Sequence, residues 1–140
     1  MKILGLDIGS KRIGVAISDA LGITAQGLNV IERVDDTQVM ESIKDIILRD
    51  GVQEIVVGLP LNMNGSTGPQ AKAAIDFADK LKEKLNVSVK LWDERMTTME
   101  VERLMIDANV SRSKRKRKID KVAAQLILQG YLDSVKRSNL

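Results

Sequence analysis

Gly5-Leu6-Asp7-Ile8-Gly9-Ser10-Lys11-Arg12-Ile13-Gly14-Val15-Ala16 is the stretch whose reading decides the fold of this chain. Side chains of a strand alternate between its faces, so Lys2–Ile8 puts Leu4, Leu6 and Ile8 on one side and Ile3, Gly5 and Asp7 on the other. Gly9-Ser10-Lys11 makes a turn, and Arg12–Ser18 alternates again, with Ile13, Val15 and Ile17 opposite Arg12, Gly14, Ala16 and Ser18. An acid thus closes an apolar strand, and a buried carboxylate without a partner is costly. Glycines on either side let an anion or a metal come close to the backbone there. The alternative is that Asp7 faces solvent beside the turn.

Outward from this hairpin, Asp19–Gly22 supplies a second turn and Ile23–Ile31 a third strand, so the first third of the chain reads as an antiparallel meander. Asp36 can cap a helix whose apolar positions Val39, Ile43, Ile46 and Ile47 follow the 3.6-residue period and which stops at Gly51. Glu54–Gly58 is continuously apolar after its acid, as a strand covered on both faces would be. Ser66 or Thr67 caps a helix to about Leu85, with Pro69 near its first position. Val87–Trp92 reads as a fifth strand. Thr97 and Glu100 form a capping box for a helix ending near Asn109. The last helix, Ile119 to about Val135, lines up Ile119, Val122, Ala123, Leu126, Ile127 and Tyr131. The expected fold is a single α/β domain over residues 1–140. Its five-stranded mixed sheet has three antiparallel strands and two added by helical crossovers, with helices packed on it.

Composition narrows the chemistry. The chain of 140 residues is 44% hydrophobic and 29% charged, ordinary for a soluble globular protein. No apolar run approaches the roughly 20 residues that span a bilayer, and an acid comes too early for a signal peptide, so a cytoplasmic location without membrane contact is expected. Cys and His are both absent. That removes disulfides, thiolate nucleophiles, Ser-His-Asp catalysis and imidazole ligands; for a hydrolase, carboxylates holding a hard cation such as magnesium are then the natural remaining choice.

Two further acids could join Asp7. Asp93 and Glu94 end the fifth strand on opposite faces, and periodicity does not choose between them: Asp93 is in phase with Val87, Val89 and Leu91, Glu94 with Lys90 and Trp92. Pairing with Arg95 at the surface is the simpler account of either. Asp120 opens the expected last helix, with Ala123, Ala124 and Ile127 as its wheel neighbours. It borders the buried face, although an acid at a helix start is also favoured by the macrodipole. The basic block Arg112, Lys114, Arg115, Lys116, Arg117, Lys118 and Lys121 calls for an anionic partner, unless it is only a solvated loop. With three aromatic residues in all (Phe77, Trp92 and Tyr131), contacts to phosphate are favoured over base stacking. The segment from Gly58 to Ser66, with Asn62 and Asn64, leads into a helix start suited to phosphate but lacks the P-loop pattern.

These motifs together resemble the YqgF family, also called RuvX. The resemblance is carried by Gly5-Leu6-Asp7-Ile8-Gly9 through Ser18-Asp19, Val57-Gly58-Leu59-Pro60 with Asn64-Gly65-Ser66, Asp93-Glu94-Arg95 with Thr97-Thr98, and Asp120 through Ala123-Ala124 to Leu132. It implies a ribonuclease H-like fold and a nuclease that trims the 5′ end of pre-16S ribosomal RNA, or a resolvase of branched DNA junctions. It also implies catalytic and metal-ligating acids at Asp7, Glu94 and Asp120, favouring Glu94 over Asp93. The expected cofactor is magnesium, with manganese as the alternative. Substrate phosphates are expected at Lys11, Arg12, Asn62, Asn64, Arg95, Arg112, Lys114, Arg115 and Lys116. Where RuvC-type resolvases carry an acid after the fourth strand, this chain has Gly58-Leu59-Pro60, which leaves the number of metals open. Partners are precursor ribosomal RNA or branched DNA, and the protein is a monomer or a homodimer. A non-catalytic nucleic-acid-binding module and an actin-like or sugar-kinase-like ATP site, whose first phosphate loop Asp7-Ile8-Gly9-Ser10 also resembles, are the rivals. The latter needs two related domains, and 140 residues supply one.

Overall fold

The computed structural model describes residues 1–95 and 103–138, and the side chains of these except at 116–121. Strands β1 (Lys2–Ile8), β2 (Arg12–Ser18) and β3 (Ala25–Glu32) form the expected meander. Helix α1 (Asp36–Asp50), β4 (Val52–Leu59), helix α2 (Pro69–Leu85), β5 (Ser88–Asp93) and the long helix α3 (Arg112–Ser138) follow. The sheet order is β3-β2-β1-β4-β5, with β4 parallel to both β1 and β5. Residues 103–107 are also helical, and the turn after them closes on Asn109 in the left-handed region (φ 61°). The capping box of Thr97 and Glu100 lies outside the described residues. No described helix is long and apolar enough to cross a membrane.

The pleat of β1 divides the core in two, as its alternation demands. Leu4 and Leu6 join Ile55, Val57, Val39, Ile43, Phe77 and Leu81 beneath α1 and α2. Ile3 joins Val56, Ala124, Ile127, Leu128 and Leu132 beneath α3. Asp7, in phase with Ile3 and Gly5, therefore belongs to the α3 face. The helix can lie close because Gly5 has no side chain: a Cβ there would stand 2.7 Å from Leu128 Cβ and 3.3 Å from the Ala124 carbonyl oxygen. On the same face, Glu54 is buried (5% exposed) yet satisfied. It accepts from Tyr131 Oη at 3.0 Å and pairs with Lys90 Nζ at 3.1 Å, which ties β4, β5 and α3 together.

Four sequence expectations shift. The first cap is Asp35, whose carboxylate accepts from Thr37 N at 2.8 Å, one residue before Asp36. Helix α2 starts after Gly68 without a side-chain cap, because Ser66 is bound into the preceding loop. Strand β3 starts at Ala25 instead of Ile23, since Asp19 Oδ1 takes the Ile23 and Thr24 amides at 2.7 and 3.3 Å and curls them into the turn. The largest change is at α3, which begins at Arg112 and not at Ile119. Ser111 starts it, accepting from Arg115 N at 2.9 Å through its carbonyl and from Lys114 N at 3.4 Å through Oγ. Lys and Arg are good helix formers but carry no apolar period, so the stripe reveals only the part of the helix that packs. Asp120 thus lies in the third turn, beyond the reach of the helix start, and the dipole does not account for it.

Replacing Gly5 with alanine should force α3 off the sheet and lower stability by about 1–3 kcal/mol, the usual cost of overpacking. Urea denaturation with an unchanged m-value would check this.

Candidate active site

Asp7 stands at the last turn-ward position but one of β1, half-buried, with its Cα paired to Gly14 of β2. A Cβ at Gly14 would meet Asp7 Cβ and Ala124 Cβ, each at 3.4 Å, so the carboxylate is set against α3. Glu94 follows β5 directly, and the register Gly58↔Trp92 places it beyond Trp92 on the α3 face. It folds back across β4, where a Cβ on Gly58 would collide with Ile127 Cδ1 and stand 2.5 Å from Glu94 Oε2. A glycine at 58 is therefore what makes room for this carboxylate.

Asp7 and Glu94 share a cavity of about 730 Å³, whose wall also includes Ser10, Arg33, Gln70 and Ile127. Glu94 Oε2 is buried and has no hydrogen-bond partner among the described residues. Burial above all, then the charge of Asp7, then that of Asp93, push the Glu94 carboxyl up to about 7. The contrast with Glu54 is instructive. A buried acid that only holds the fold is met by a hydroxyl and an ammonium, whereas Glu94 faces a second acid. Buried like charges of this kind are tolerated where a cation or a proton resolves them.

The sheet places Asp93 and Glu94 in different surroundings, with Glu94 alone of the two lining the cavity. Asp93 points away from the α3 face and accepts from Arg95, from Nη2 at 2.7 Å and from Nε at 3.0 and 3.1 Å. This guanidinium holds the Asp93 carboxyl below its ordinary range. Arg95 Nη1 also donates to the Asn62 and Met63 carbonyls at 3.4 and 3.1 Å, so Arg95 binds the β4–α2 loop to β5. Within that loop Asn62 Nδ2 donates to Ser66 Oγ at 2.9 Å, and Asn64 Oδ1 accepts from Ser66 N and Oγ at 3.0 and 2.6 Å. The structure thus engages Arg95, Asn62 and Asn64 in building the loop.

Lys11 and Arg12 are exposed on the β1–β2 turn, Arg12 lying 3.9 Å from Glu32. Arg112 and Lys114 are exposed on the first turn of α3. Arg115 is half-buried and donates through Nη1 to the Val110 carbonyl at 2.8 Å. The side chains of Lys116 and Asp120 lie outside the described residues, and among the described residues no group of three potential metal ligands occurs. Arg33 is the cavity residue that sequence reading missed. Its signal is weak, a lone arginine between a strand and a helix cap.

A single five-stranded mixed sheet of this order, with α1 and α2 on one face and α3 on the other, is a ribonuclease H-like fold. Two solved resolvase structures share this fold. RuvC of Thermus thermophilus in complex with Holliday junction substrate is 14% identical with a TM-score of 0.60, covering 97% of this chain and 96% of that one. The fowlpox virus Holliday junction resolvase is 17% identical with a TM-score of 0.51, covering 96% and 99%. Within the class, the family model described as RuvX, Holliday junction resolvase, matches residues 1–134, and the chain belongs to that family. A Clostridium botulinum (strain Hall) relative is 54% identical over 98% of this chain and 100% of its own length, and a Halothermothrix orenii relative is 56% identical over 95% of each. Both carry the name "Putative pre-16S rRNA nuclease".

Because folding raises the Glu94 pKa from 4.5 to about 7, its protonated form is favoured in the native state. The resulting stability is fully present below the unfolded value and is lost as pH rises through the folded one. With divalent cations chelated, the melting temperature of the wild type relative to Glu94→Gln should therefore fall between pH 5 and pH 8, as the values 4.5 and about 7 dictate. A constant difference across that range would contradict the assignment.

Proposed function

We propose that this chain is a metal-dependent nuclease that hydrolyses phosphodiester bonds at the 5′ end of pre-16S ribosomal RNA during ribosome assembly in the cytoplasm. The observation that carries the reading is the shared cavity of Asp7 and Glu94, with Glu94 Oε2 buried and without a hydrogen-bond partner among the described residues. Two oxygen ligands of this kind fit a hard cation, magnesium first and manganese as the alternative. Asp7, Glu94 and Asp120 would hold it, and when bound it would supply an activated water and charge neutralisation at the phosphate. Membership of a resolvase family and the names of the relatives support nucleic acid as the substrate.

The residues of this chain do the rest. The neutral-pH poise of Glu94 lets it exchange a proton or accept a cation near pH 7. Arg112 and Lys114 add positive charge to a helix start that is itself the positive end of a dipole, with no acid in the first turn. That repulsion is relieved when a polyanion binds, so Arg112, Lys114, Arg115 and Lys116 are read as the flanking phosphate contacts, with Lys11 and Arg12 on the β1–β2 turn.

A second reading, cleavage of a four-way DNA junction, is favoured by the likeness in fold to RuvC. A symmetric junction would require a homodimer, whereas trimming of an RNA end is open to a monomer. Cleavage of precursor ribosomal RNA and of a four-way junction, side by side with and without magnesium, tests both. Product from the RNA alone, and only with the metal, is the expected result. Salt-sensitive binding without product on either substrate would identify a non-catalytic binding module instead.

Asp7→Asn should lower the cleavage rate by about a hundredfold or more while leaving the circular dichroism melt in place. Full activity in that variant would overturn the site.

A further inference from the structure

Arg33 lines the cavity together with Asp7 and Glu94. It follows β3, and its main chain and side chain both grip the turn after Asp7. Arg33 N donates to the Lys11 carbonyl at 2.9 Å, and Nη1 donates to the Gly9 carbonyl at 3.0 Å. That turn is tight: Gly9 N donates to the Arg12 carbonyl at 3.0 Å, and a Cβ on Gly9 would stand 2.5 Å from the same oxygen. The guanidinium lies 5.4 Å from the Phe77 ring centroid, and its Nε donates to Asp36 Oδ1 at 3.1 Å. Three elements thus fix a side chain that would otherwise be among the most mobile.

These contacts leave donors over. A guanidinium carries five N–H groups, and the hydrogen bonds of Arg33 use Nε and Nη1 alone. Its one ion pair among the described residues is with Asp36, away from the two acids of the cavity. The Arg33 side chain is 22% exposed and lines the cavity that Asp7 and Glu94 share. A phosphodiester entering beside two carboxylates meets repulsion on that wall, and a held, permanent cation on another wall offsets it.

From this geometry we propose that Arg33 is a substrate-phosphate anchor of the active site, presenting its Nη2 edge to a nucleic-acid phosphate beside Asp7. The proposal rests on the nuclease reading for the identity of the ligand. The bland alternative is that Arg33 only braces the Gly9–Lys11 turn.

Fluorescence anisotropy of a labelled single-stranded RNA, in EDTA and over a series of salt concentrations, separates the two. Arg33→Gln should bind about tenfold more weakly, the effect of losing one charge-assisted hydrogen bond. Its log-affinity against log-salt line should be shallower by about 0.7, one phosphate contact on a single strand. Arg33→Lys should keep the wild-type slope but bind at least about threefold more weakly, since a point charge replaces the planar fork. Wild-type affinity in Arg33→Gln, or weaker binding at an unchanged slope, would overturn the anchor in favour of the brace. Should Arg33→Gln fail to fold, Arg33→Lys decides, and wild-type affinity or an altered slope in that variant overturns it. Failure of the wild type to cleave any RNA with magnesium would sink the nuclease reading and leave this binding comparison standing.

Discussion

The close approach of α3 to the middle of the sheet governs the rest of the molecule. The helix lies so near β1 that a side chain on Gly5 would meet Leu128 and the Ala124 carbonyl, and its Ile127 side chain reaches the space that a side chain on Gly58 would need. Where the strands run out beyond that contact, the helix forms one wall of a cleft, and Asp7 and Glu94, both half-buried, line it together. The electrostatics of the site are therefore a consequence of packing. A helix held further out by larger residues would admit water and return Glu94 to an ordinary carboxylate.

The same face carries another acid, fully buried, with the opposite fate. Glu54 is met by Tyr131 and Lys90, and Tyr131 in turn stands edge-on to Trp92 at 6.1 Å. Such a satisfied network anchors α3 against β4 and β5 at one end of the helix. Glu94 lies nearer the other end, without that relief. One helix thus has its hydrogen-bonded attachment at Tyr131 and borders the cavity at Ala123 and Ile127.

Charge is divided in a parallel way. Asp93 and Arg95 neutralise each other and hold the β4–α2 loop, so the adjacent acid alone enters the cavity. Asp36 and Arg33 make a similar pair on the other side, but there the arginine faces inward. The basic start of α3 is further along the chain and gathers positive charge on regular helix instead of on a loop. A charge block on a helix keeps its spacing, which a solvated loop would not.

Much of this was legible in the order of residues. Period-two alternation over Lys2–Ile8 and Arg12–Ser18 placed both strands to the residue, and it assigned Asp7 to the face opposite Leu4 and Leu6, because a pleated strand leaves no third choice. The crossovers, the glycine stop at Gly51 and the absence of His and Cys were equally local facts. Long-range neighbours were not. Phase along β5 could not choose between Asp93 and Glu94, since the choice depends on which sheet face α3 covers. The start of α3 was hidden because charged turns without packing have no apolar period. Arg33 was invisible because its meaning lies in Gly9, Phe77 and Asp36, which only folding brings to it. Local pattern dictates which way a side chain points within its own element; what it meets there is settled by the packing of elements far apart in the chain.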